Sequence, residues 1–147
     1  GFKIQSFDFT KVKDYVVLYK FHPLLGDIQC NGGVNMNKED LYTLMQVSDC
    51  LISDYSSVIF DYSLLNKPMI CYIPDVKEYK HNIGLNIDFD DFPGPVCTDE
   101  DQLVKALEFK NYDYDKLSYF QIKYMVYTDG KNTSRVIDTI NQIMEEA

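Results

Sequence analysis

Apolar residues are spaced in two ways along this chain. Three short unbroken runs, YVVLYK at 15–20, CLIS at 50–53 and MICYI at 69–73, are rich in β-branched and aromatic residues. Runs of this length and make-up read as buried strands. The first ends at Phe21-His22-Pro23, because proline cannot donate to a sheet ladder. Between and after these runs the apolar positions recur every third or fourth residue, the period of a helix face. A helix is predicted from Asn37, as N-cap, to about Val47, with Leu41, Leu44 and Met45 on one face. Others follow over Val58–Leu65, over 99–109 behind Thr98 as cap, and over about 114–125. The last runs from about Thr133 and carries Val136, Ile140, Ile143 and Ala147 on one stripe.

The intervening segments carry turn chemistry. Gly26, Asn31, Gly32 and Gly33 make residues 24–36 loop-rich, with room for one short strand. Asn66-Lys67-Pro68 is a turn. After Pro74 the chain is acidic and irregular through Asp88–Asp91 and Pro93-Gly94-Pro95. Residues 1–9 have no assignable pattern. Strands alternating with amphipathic helices imply βαβ units, hence an α/β fold with a parallel sheet. Ligands of such open sheets lie at the carboxyl ends of the strands. His22, Ser53–Ser57 and Pro74–Asp75 should therefore converge.

Composition narrows the class. At 147 residues with 46% hydrophobic content, one domain with a real core is expected, spanning 1–147. The formal net charge of -9 argues against a nucleic-acid binder, since affinity for a polyanion comes mostly from cationic contacts. A local phosphate pocket needs only a few aimed donors and remains open. Arg135 is the sole arginine, which matters because a guanidinium grips an oxyanion in a planar fork where an ammonium cannot. The four cysteines, Cys30, Cys50, Cys71 and Cys97, show no metal-ligand spacing, so no metal is expected. Cys50 and Cys71 lie in apolar runs, where cysteine behaves as a small hydrophobe, a pattern that suits a reducing cytoplasm. No apolar stretch approaches the ~20 residues that span a bilayer.

The strongest local signal for chemistry is Ser53-Asp54-Tyr55-Ser56-Ser57, where a strand feeds a tight turn and a helix begins. Unpaired N–H groups at a helix start bind phosphate, and the hydroxyls of Ser56 and Ser57 would add donors. The same residues also suit plain helix capping, and the two roles are compatible. His22 at a strand end would meet a phosphate or a developing negative charge, or serve simply as a loop histidine. His81, among lysines, reads as solvated. Asp129-Gly130-Lys131 reads either as a helix-breaking turn or as an anion-binding helix start, with Arg135 one turn further on. Asp88–Asp91 lacks the glycine and distal glutamate of a calcium loop. No G-x-S-x-G elbow, Walker loop or dinucleotide fingerprint is present.

Four motifs, YKFHP, CLISDYSSVIFDYSLLNKPMICYIPD, DFPGP and DGKNTSRV, occur in this order. Over roughly residues 8–145 the chain resembles the C-terminal part of the CDP-glycerol:poly(glycerophosphate) glycerophosphotransferases, the teichoic-acid polymerase and primase family. The resemblance implies a Rossmann-like three-layer α/β/α domain, the C-terminal half of a GT-B fold. It implies transfer of glycerol phosphate or ribitol phosphate from CDP-glycerol or CDP-ribitol to a growing polymer, with release of CMP. On that basis His22 is the catalytic candidate. Asp54, Ser56, Ser57, Asp129, Gly130, Lys131 and Arg135 are the donor- and phosphate-binding candidates. No cofactor is implied. The polymer or lipid-linked acceptor, and any contact with the cytoplasmic face of a membrane, would come through an N-terminal domain to which nothing in this chain corresponds. A non-catalytic nucleotide- or phosphate-binding module, or the donor domain of a sugar-nucleotide GT-B glycosyltransferase, are the alternatives.

Overall fold

The YVVLYK run yields a strand of only two residues, β1 (Leu18–Tyr19), shorter than its pattern predicts. Tyr15 and Val16 lie outside it and are exposed, with the Tyr15 hydroxyl donating to the Leu107 carbonyl at 2.7 Å. The structure, a computed structural model, describes residues 8–25, 28–76, 87–108 and 112–146. Residues 1–7 and His81 lie outside that set. The short strand expected within 24–36 is β2 (Val34–Asn35), which pairs with β1 in parallel, Leu18 opposite Val34.

Helix α1 (Leu41–Val47) starts later than predicted. Its cap is Asp40, whose carboxylate accepts from the Thr43 N–H at 2.8 Å and the Thr43 hydroxyl at 3.0 Å. Asn37 faces the other way, back to β1. An aspartate outcompetes it because the carboxylate satisfies an orphan N–H and also complements the positive helix end. Strand β3 (Leu51–Ser53) follows, then α2 (Val58–Ser63) and β4 (Met69–Tyr72), close to expectation. Asn66 makes the turn before β4 at φ 55°, and the Lys67 ammonium donates to the Gln46 and Ser48 carbonyls at 2.7 Å each, closing the end of α1.

Strand β5 (Val96–Cys97) falls inside the stretch read as irregular. Two residues between proline and threonine show no period. What creates the strand is β4 beside it: Cys71 pairs with Val96 and Tyr72 with Cys97. Gly94 makes the approach possible, since a Cβ there would lie 1.8 Å from the Met69 carbonyl oxygen. The order β3-β4-β5 is parallel throughout, separate from the β1-β2 pair.

Helices α3 (Glu100–Ala106) and α4 (Tyr114–Tyr124) are capped by Asp99 and Asp113. Asp99 displaces Thr98 from the predicted capping role by accepting from the Gln102 N–H at 2.8 Å. The last helix, α5, runs Asn132–Glu146. Strand β4 explains the layering. Met69, Cys71 and Ile73 face one core cluster, with Met45, Ile59, Tyr62, Phe92, Leu117 and Phe120. Ile70 faces another, with Cys97, Leu103 and Leu107. Alternate residues of a strand point to opposite faces, so a central strand covered by helices on both sides gives the expected α/β/α order.

Candidate functional site

The C-terminal ends of β3 and β4 meet. The Tyr55 hydroxyl, one residue into the serine turn, donates to Asp75 Oδ1 at 3.0 Å beyond the end of β4. Burial and that bond to the neighbouring carboxylate both push the Tyr55 phenol well above its ordinary range. Two of the three strand-end segments expected to converge are therefore joined by a hydrogen bond.

The turn itself is built by short-range bonds. Asp54 Oδ1 accepts from the Ser56 N–H at 3.1 Å, and Ser56 Oγ accepts from the Val58 N–H at 3.4 Å, a long contact. Behind it, the Cys71 thiol stands 3.9 Å from the Asp54 carbonyl. Ser57 occupies the N-cap position of α2 at φ -64°, ψ -11°, and its side chain makes no capping bond. A cap hydroxyl normally reaches forward from extended backbone, a geometry this helical conformation denies it. Asp54 and Ser56 thus shape the turn. Ser57 is exposed, and so is Ser56.

His22 follows β1 and is exposed. Its Nδ1 accepts from the Leu24 N–H at 3.2 Å, and its carbonyl accepts from the Leu25 N–H at 2.9 Å. An acceptor at Nδ1 places the proton of the neutral ring on Nε2, which faces away from the turn as a donor.

Asp129, Gly130, Lys131 and Arg135 form a third group. Arg135 grips Asp129 with both arms of its fork, Nη1 to Oδ1 at 2.8 Å and Nη2 to Oδ2 at 2.6 Å. The guanidinium lies 4.4 Å from the centre of the Tyr127 ring. Asp129 Oδ1 also accepts from the Lys131 N–H at 3.1 Å, and these partners hold its carboxyl down at about 2. Gly130 turns the chain at φ +73°, where a side chain would be strained. The sole arginine therefore engages a carboxylate of its own turn. Among the described residues no hydrogen bond or ion pair joins this group, the serine turn and His22 to one another. The acidic stretch is likewise engaged internally: Asp91 Oδ2 accepts from the Lys123 ammonium at 2.6 Å and the Tyr124 hydroxyl at 2.7 Å, tying a loop to α4.

Two contributions escaped the sequence reading. The pattern predicts that the segments of Tyr55 and Asp75 meet but assigns neither side chain a role, and the two lie 20 positions apart in sequence. Asn37 had the signature of a helix cap, while its partners at 20 and 21 are neighbours only because β1 and β2 pair.

The sequence family described as CDP-Glycerol:Poly(glycerophosphate) glycerophosphotransferase matches residues 1–142. A teichoic acid ribitol-phosphate primase of Bacillus spizizenii is 36% identical over 144 residues, covering 90% of this chain and 36% of the primase. A teichoic acid glycerol-phosphate primase of Bacillus subtilis is 30% identical over 138 residues, with the same two shares. Among solved structures, the wall teichoic acid polymerase TagF superposes with a TM-score of 0.70 at 30% identity, covering 94% of this chain and 37% of that one. A variant of that polymerase soaked with CDPG superposes equally well. The chain thus spans little more than a third of the length of these relatives.

Proposed function

We propose that this chain, which belongs to the CDP-glycerol:poly(glycerophosphate) glycerophosphotransferase family, is the donor-binding part of a longer transferase. Its donor would be CDP-glycerol or CDP-ribitol, and its product a polyol-phosphate polymer extended by one unit. The observation that carries the reading is the serine turn of a family member lying at the carboxyl end of a parallel sheet, where open α/β sheets hold their ligands.

In the reaction an acceptor hydroxyl attacks the distal phosphorus of the donor. The new P–O bond forms as the bond to the bridging pyrophosphate oxygen breaks, CMP departs with that electron pair, and the acceptor's hydroxyl proton would pass to a base in the acceptor part of the enzyme. Phosphoryl transfer of this kind depends mostly on positioning and on neutralising charge. The Ser56 and Ser57 hydroxyls and the N–H groups at the start of α2 would hold the pyrophosphate. The His22 Nε2–H would donate to the leaving phosphate. Asp54 orders the turn through Ser56. Lys131 and Arg135 would add positive charge, Arg135 only by sharing its fork with Asp129. The acceptor site and any membrane contact would belong to the rest of the parent protein.

Calorimetric titration of the chain with CDP-glycerol, CDP-ribitol, a UDP-sugar and CMP tests this. Binding of a CDP-polyol in preference to the UDP-sugar is expected. Binding of the UDP-sugar instead would point to a glycosyltransferase, and binding of no nucleotide to a partner-binding module. Polymer synthesis by the 147-residue chain alone would contradict the assignment of acceptor chemistry to the remainder.

A further inference from the structure

We infer that Asn37 is a positioning residue for His22, and this inference rests on the proposed donor role of His22. The ladder between β1 and β2 carries the Val34 N–H to the Val17 carbonyl at 2.8 Å and the Met36 N–H to the Tyr19 carbonyl at 2.9 Å. The next donor pointing across from β1 is the Phe21 N–H. It meets no backbone carbonyl; it donates to Asn37 Oδ1 at 2.8 Å. A side chain thus supplies one further rung and holds the Lys20–Phe21 peptide, one residue ahead of His22. The Lys20 ammonium fastens the same place, donating to the Asn37 carbonyl at 2.8 Å. The Asn37 N–H donates to Asn35 Oδ1 at 2.9 Å, so the residue that holds β1 is itself tied to β2.

On its other side His22 is held by the turn that follows, through the Leu25 N–H to its carbonyl and the Leu24 N–H to its ring Nδ1. With the chain held on both sides and Nδ1 accepting from the Leu24 N–H, the ring would keep one orientation and Nε2 one direction. The orientation of the Asn37 amide is set by the Phe21 donor, since a flipped amide would place two donors against each other. That arrangement leaves Asn37 Nδ2 buried with no hydrogen-bond partner among the described residues. An unmatched buried donor is disfavoured and calls for a reason. The reason here is that Oδ1 is needed where the sheet ends.

Four variants of the 147-residue chain test this: Asn37→Ala, Asn37→Asp, His22→Ala and the double variant Asn37→Ala/His22→Ala. The aspartate variant would retain an acceptor for the Phe21 N–H and lose the Nδ2 donor. The readouts are the three-bond couplings across the His22 Cα–Cβ bond and calorimetric affinity for CDP-glycerol. The expected result is a single His22 rotamer in the parent chain and in Asn37→Asp, and averaged couplings in Asn37→Ala. Donor affinity should fall about tenfold in Asn37→Ala, as for loss of an outer residue that aims a ligand-binding one. That loss should vanish when His22→Ala is already present, which a general structural effect would not do. Unchanged couplings in Asn37→Ala, averaged couplings in Asn37→Asp, or additive losses in the double variant would each overturn the inference. If Asn37→Ala does not fold, Asn37→Asp decides by its couplings alone. If the parent chain binds no CDP-glycerol, the functional reading fails while the couplings still decide the role of Asn37.

Discussion

The two C-terminal helices invert what their sequences suggest. Helix α5 has a clean apolar stripe, yet Val136, Ile137, Ile140, Ile143 and Met144 are all half or more exposed, and none of its residues is buried. Helix α4 has a poorer pattern, with Tyr114, Tyr119 and Ile122 turned to solvent, yet Leu117 and Phe120 are almost fully buried. The difference lies in what faces each. Phe120 stacks on Phe60 with ring centres 5.6 Å apart and meets Phe92 edge-on at 6.5 Å. Gln121 Nε2 donates to the Ser63 carbonyl at 2.6 Å and to Asn66 Oδ1 at 2.9 Å, holding α4 to the end of α2. Periodicity therefore says that a helix has an apolar face. It does not say whether the same chain supplies the cover.

The contrast is open to direct test. Phe120→Ala should cost about 3–5 kcal/mol in urea unfolding, the range for emptying an aromatic site in a packed core. A cost below about 1 kcal/mol would mean α4 is no better anchored than α5. Gln121→Ala should cost about 1 kcal/mol, because it removes one of two donors from the Ser63 carbonyl, which keeps the Asn66 N–H. Ile140→Ala on α5 should stay within about 0.5 kcal/mol of the parent chain, as for a surface substitution. The smallest effect concerns the turn ahead of α5. Asp129 has its carboxyl lowered to about 2 in the folded chain, against about 4 when unfolded. A depressed carboxylate contributes stability that is full above about pH 4 and is lost as pH falls through about 2. The stability gap between the parent chain and Arg135→Ala should therefore close over that window. A gap that persists below that window would show that Arg135 acts through the Tyr127 ring instead.

Legibility followed the range of the interactions involved. Strands β3 and β4 and helix α2 were visible because local apolar runs and turn residues specify them. Strand β5 was not, since only pairing with Cys71 and Tyr72 makes Val96–Cys97 a strand. Cap positions slipped to Asp40 and Asp99 because several capping residues stood in line and a carboxylate won each time. The serine turn and the Asp129–Arg135 group were legible as motifs. Their state was not. The bidentate grip of Arg135 on Asp129, the absence of a capping bond from Ser57 and the link from Tyr55 to Asp75 all depend on distances that spacing does not contain.

By itself the sequence determined an acidic α/β chain with parallel strands and motifs of one transferase family. These follow from side-chain period, turn chemistry and residue identity, which are local. Tertiary structure alone decided which helix is covered, which aspartates cap, which carboxylate the arginine fork engages and that Asn37 serves the His22 strand rather than the helix beside it. Each of those is a competition between partners that local pattern does not rank, and only folding brings the competitors within reach.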